Sequence, residues 1–125
     1  MTKESVIENF KCSVQALAQP AEIQIKLFPD FVVVADELIL EYDTWMDVLL
    51  GNFKTELTGE QLNQIEKLNE LIDNIPESTS KLSELEVLQS DSFYIKLRTK
   101  ASEVLAEFSW QLEEPPFDRT IYIKS

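Results

Sequence analysis

Histidine is absent from this 125-residue chain, cysteine occurs once, and there are only two glycines. Each scarcity excludes a class of chemistry. Without imidazole there is no Ser–His–Asp or Cys–His triad, and the usual ligand of zinc and non-haem iron sites is missing. A lone Cys12 excludes an internal disulfide and fits a reducing compartment. Two glycines leave no room for a phosphate-cradling loop or a dinucleotide fingerprint. Positive charge is also scarce: 11 Lys+Arg stand against 23 Asp+Glu, a net charge of −12. A polyanion needs cationic partners for its phosphates, so nucleic acid is not expected as a direct ligand.

Long apolar runs are missing too. The stretches 31–35 and 38–40 are separated by Asp36 and Glu37, and nothing approaches the roughly 20 residues that span a bilayer. The first residues carry acids inside their apolar pattern and lack the unbroken hydrophobic region of a signal peptide. The expectation is a cytoplasmic protein with no membrane association.

What is present reads as one folded domain over residues 1–125. Hydrophobic residues make up 44% of the chain and aromatics 10%, a globular rather than a disordered composition. No internal repeat or dividing linker interrupts it. In the segment from about Glu4 to Ala18, Val6, Ile7, Phe10, Val14 and Leu17 recur at helical spacing, and Pro20 ends the run. Residues 21–30 are ambiguous, because Ile23, Ile25 and Leu27 alternate as a strand does.

A second helix is expected over about Val33 to Leu50, with Gly51 as its C-terminal cap. On it Leu38, Ile39, Tyr42, Trp45, Met46, Leu49 and Leu50 fall within an arc of about 140°. Strands over 31–34 and 38–42 are the rival reading, since β-branched and aromatic residues are enriched there. The third helix is the clearest. Thr58 and Gln61 form a capping box, and Leu62, Ile65, Leu68, Leu71, Ile72 and Ile75 line one face as far as Pro76. A short helix near Ser83 to Gln89 and a long one from Asp91 to about Phe108 complete the set, with Pro115-Pro116 barring continuation. The expected architecture is mainly α, a single-domain bundle of four to five helices, with short extended segments left open near 22–28 and 119–124.

No residue pattern marks a catalytic site. Asp36, Asp43 and Asp47 cluster within about 40° of a helical wheel, yet they spread along more than about 15 Å of helix, too far for one cation site. Cys12 has no histidine to activate it and reads as a small hydrophobe. Trp45 and Trp110 fit the apolar phase of their helices, so core packing is expected of both. Lys96, Arg98 and Lys100 read as ordinary helix-surface charge. The reading is therefore non-enzymatic, with no cofactor and no metal.

Charge placement is more informative than any motif. Residues 1–29 and 92–125 each balance to zero, whereas residues 30–91 hold 15 acids against three bases and so carry the whole −12. An acidic middle between neutral ends places one negative face on the fold, suited to a protein with a basic surface. The candidate contact residues are Asp36, Asp43, Asp47, Glu66, Glu70 and Asp73. Solubility alone is an equal account of the excess. A self-associating structural or regulatory module, joined through Trp45 or through Ile121 and Ile123, is the alternative function.

Two segments, FPDFVVVADELILEYDTW at 28–45 and FYIKLRTKASEVLAEFSW at 93–110, carry a Pro29…Asp36-Glu37-Leu38 stretch and an aromatic-x₃-Leu-Arg-x₂-Ala pattern. In these the chain resembles small, mainly helical bacterial proteins, some of them proposed immunity proteins of toxin systems. The resemblance covers under a third of the sequence. It implies an inhibitor of a basic partner and carries over no functional residue.

Overall fold

The computed structural model describes residues 2–28, 33–75 and 84–115. These form six α-helices: α1 (Lys3–Ala18), α2 (Ala21–Lys26), α3 (Val34–Phe53), α4 (Gly59–Asp73), α5 (Glu84–Ser90) and α6 (Ser92–Glu107). A single 3-10 turn, Lys54–Glu56, joins α3 to the loop before α4. There is no strand among the described residues, so the mainly helical expectation holds; the rival strand at 38–42 is helical, and residues 31 and 32 of the other lie outside the described residues.

Helix α1 is the centre of the fold, packed against both α3 and α6, while α4 and α5 cover α6. Its apolar face carries Val6, Phe10, Val14 and Leu17, all fully buried as their spacing predicts. The second half of α1 is buried on every side: Cys12, Ser13, Gln15, Ala16 and Ala18 are enclosed as well. Small residues at 12, 13, 16 and 18 let neighbouring elements approach closely. The polar ones are satisfied individually, as buried polar groups must be. The Ser13 hydroxyl donates to the Phe10 carbonyl at 2.7 Å. The Gln15 and Gln19 amides donate to the carbonyls of Gln111 and Glu113 at 3.2 and 2.7 Å. Those two bonds hold the extended segment after α6 against α1.

Residues 22–28 depart from the extended reading. They belong to α2 and the turn after it, with Pro20 preceding the first helical residue and its ring fixing an extended entry. Ala21, Gln24, Leu27 and Phe28 are the buried positions, at helical rather than alternating intervals, while Ile23 and Ile25 are only partly covered. Gln24 ties the element to α1. Its Nε2 donates to the carbonyls of Ala16 and Leu17, each at 3.1 Å, and so caps the C-terminal end of α1. The other extended expectation, near 119–124, lies outside the described residues.

One helix end differs from the reading of its sequence. Gly51 is not a cap: α3 continues through it to Phe53, and no glycine has a positive φ. Helix α6 ends at Glu107, within a residue of the expected Phe108, in a Schellman motif. Ser109 takes the left-handed conformation with φ 60°, its N–H donates to the Ala106 carbonyl at 3.0 Å, and the Trp110 N–H donates to the Leu105 carbonyl at 2.9 Å. The turn lays Trp110 against Phe108 as a stacked pair, centroids 4.4 Å apart, and both rings pack on Phe10. The capping box of α4 is present as expected: the Gln61 N–H donates to Thr58 Oγ1 at 3.0 Å, and the Thr58 N–H to Gln61 Oε1 at 2.9 Å. Asp91 likewise caps α6 through the Phe93 N–H at 2.8 Å. At the start of α3 no local side chain caps the helix. Instead Glu84 of α5 accepts from the Ala35 N–H at 2.9 Å, a tertiary contact substituting for a local one.

Candidate functional site

The acidic residues sit on α3 and α4, and a polar bridge links the two helices. The Tyr42 hydroxyl, on a fully buried ring, donates to Asn69 Oδ1 at 2.9 Å. Asn69 Nδ2 in turn donates to Met46 Sδ at 3.6 Å. Enclosure raises the Tyr42 hydroxyl well above its ordinary range, with the neighbouring Asp43 charge as a smaller cause. That hydroxyl is therefore a donor throughout the working pH range.

Asp43, one residue along α3, points away from the core and is half-buried. Burial pushes its carboxyl above the usual carboxylate range, and the charges of Asp47 and Asp73 push it further. Asp47 is one helical turn on, and Asp73 comes from the last turn of α4. None of the three is in an ion pair among the described residues. Three of the six predicted contact residues thus form one electrostatic cluster across two helices.

The other three do not join it. Asp36 is exposed in the first turn of α3, where it acts with Asp91 and Glu84 on the Tyr94 hydroxyl; burial is the main cause of that group's upward shift. Glu70 lines a groove between α4 and α6. Glu66 is exposed on α4, with no described partner. A helical wheel places Asp36, Asp43 and Asp47 on one stripe, but α3 is long enough for its first turn to face α5 and α6 while its middle faces α4. One acidic stripe in the sequence becomes two acidic neighbourhoods in the fold.

The basic residues of α6 divide as well. Arg98 is half-buried toward Glu22, and burial lowers its affinity for the proton while Glu22 partly restores it. The Glu22 carboxyl lies below its usual range, held by its own backbone N–H first and then by the Gln89 side chain. Lys96 and Lys100 turn the other way, to the α4–α6 groove, where Lys67 joins them. Sequence reading could not find this grouping, because Lys67 is isolated in the acidic middle and its neighbours are a loop and a helix away.

Trp45 and Trp110 are partly buried against the core, as their helical phase predicts. Of the other residues named for self-association, Ile121 and Ile123 lie outside the described residues. Cys12 is buried. Among the described residues no three metal-ligating side chains converge to hold an ion, and no helix is long and apolar enough to cross a membrane. Compared with protein-family models, curated proteins and solved structures, the chain matches none.

Proposed function

We propose that this chain is a non-enzymatic binding module that presents its α3–α4 acidic face to a protein with a basic surface, in the manner of an immunity or antitoxin-like inhibitor. The observation that carries the reading is the cluster of Asp43, Asp47 and Asp73. Burial first, and then the Asp47 and Asp73 charges, raise the Asp43 carboxyl; the Tyr42–Asn69 bond links the two helices that carry them, and no described cation is paired with them. Like charges held together cost the free fold a few tenths of a kcal/mol per pair. A partner's lysines or arginines would relieve that repulsion on contact, and the long-range field would speed encounter at low salt. The sequence supports the same reading, since the whole negative excess lies in residues 30–91.

The test is capture of partners from the native host at low and at moderate salt, with a D43N/D47N/D73N variant alongside. A basic protein retained by the native chain, lost as salt rises and lost by the variant, is the expected result. Retention by the triple variant at native strength, or capture indifferent to salt, rules out the electrostatic reading. The product of a gene next to this one is the first candidate to purify and titrate directly.

A further inference from the structure

On the side of α4 away from Asp43 lies a surface of opposite sign. Lys67, Glu70, Leu71 and Asn74 of α4 face Ile95, Lys96, Thr99 and Lys100 of α6 across a groove of about 490 Å³. That volume is in the range that takes a small organic ligand. Leu71 forms the covered part of its floor, and Ile95 is 45% exposed on the opposite wall. The neutral polar side chains are already committed to their own helices: Asn74 Nδ2 donates to the Glu70 carbonyl at 2.7 Å and Thr99 Oγ1 to the Ile95 carbonyl at 3.1 Å. With Glu103 beside Lys100, three ammonium groups face two carboxylates, and the rim keeps a net positive charge of one. Lys100 is paired with Glu103, while Lys67 and Lys96 are in no ion pair among the described residues.

An apolar floor with a cationic rim matches a ligand that has an apolar body and one anionic head. We propose that the α4–α6 groove binds a free amphiphilic carboxylate, with Lys67 and Lys96 holding the head group and Leu71 and Ile95 covering the chain. The source is a dissolved molecule and not a membrane surface. A protein of net charge −12 is repelled by an anionic bilayer, and the groove has room for one small chain. The local positive field is short-ranged, so the head group must come within a Debye length of about 8 Å before it outweighs the acidic remainder.

The experiment is titration of the isotope-labelled chain with decanoate, below its self-assembly concentration, followed by amide chemical shifts. Saturable shifts centred on Leu71, Ile95 and Thr99 are expected. Charge reversal at both exposed lysines, K67E/K96E, should weaken binding by about tenfold or more. Ile95→Gln, which changes no charge, should weaken it as well by removing apolar cover. Decyltrimethylammonium, with the same tail and the opposite head, should bind more weakly than decanoate. Shifts scattered over the surface, equal binding of the cationic amphiphile, or unchanged affinity in both variants would overturn the proposal. These residues are separate from Asp43, Asp47 and Asp73, so failure here leaves the acidic-face reading standing.

Discussion

Tyr42→Phe removes one oxygen and leaves the ring in place. The ring stays against Phe10, with centroids 5.9 Å apart, so no cavity forms. What goes is the hydroxyl bond to Asn69 Oδ1 at 2.9 Å, the polar tie between α3 and α4. A neutral hydrogen bond contributes about 0.5–1.5 kcal/mol net, and a sealed, orphaned acceptor costs about 1–3 kcal/mol. Asn69 is half-buried, so water recovers part of the solvation of its oxygen. The expected loss is therefore about 1 kcal/mol, or a fall in Tm of about 3–5 °C for a chain of this size. Tyr42→Ala, which also removes the ring, should cost about 3–5 kcal/mol.

Urea denaturation of the two variants separates bond from packing, and a double-mutant cycle with Asn69→Ala isolates the pair. A coupling of about 1 kcal/mol is expected. Singles that add to within about 0.3 kcal/mol would show that the bond does not join the helices. So would a Tyr42→Phe loss as large as that of Tyr42→Ala. Because the folded hydroxyl ionises less readily than the unfolded one, its contribution is complete below about pH 10, the unfolded value, and is lost only as pH rises beyond it.

Four further outcomes follow from particular contacts. Gln24→Ala strips the amide that caps the Ala16 and Leu17 carbonyls and should cost about 1–3 kcal/mol in thermal unfolding, with early exchange of the last amides of α1 as the local sign. Gly51→Ala should raise stability by about 1 kcal/mol, because the position is interior to α3 and an added Cβ meets nothing within 4 Å. Ser109→Gly should also stabilise, by about 0.5–1 kcal/mol, since only the glycine takes the left-handed cap without steric penalty; a destabilised variant would contradict the Schellman assignment. Asp43→Asn should gain about 0.5 kcal/mol at pH 7 as a solvent-screened surface effect. Its sign follows from the raised folded carboxyl, whose stabilising contribution is complete below the unfolded value and is lost as pH rises through the folded one. The gain should vanish near pH 4, and a gain that persists there would refute the like-charge account.

The sequence by itself determined that this protein is helical and where most of its helices lie. Spacing of apolar residues placed α1, α3, α4 and α6, because one-sided burial imposes a helical period regardless of what covers that side. Local caps were equally legible: Thr58 with Gln61, and Asp91, act within three residues of themselves. Tertiary structure decided everything that depends on a distant neighbour. Gln24 reaches back to the Ala16 and Leu17 carbonyls and ties α2 to α1, a contact set by how the chain turns at Pro20 and not by apolar periodicity. The second half of α1 is enclosed on all sides because α3, α6 and the segment after α6 converge there, and its buried Gln15 and Gln19 find their carbonyl partners only in that segment. Gly51 passed as a cap because its helix ended apolar periodicity one residue earlier, although the backbone runs on for half a turn. The sites followed the same division. A single chain-local stripe of Asp36, Asp43 and Asp47 was visible, but only the α3–α4 contact added Asp73 and only the length of α3 removed Asp36. Lys67 met Lys96 and Lys100 solely because α4 packs on α6. Charge composition is local to the chain, whereas charge on a face is a property of packing.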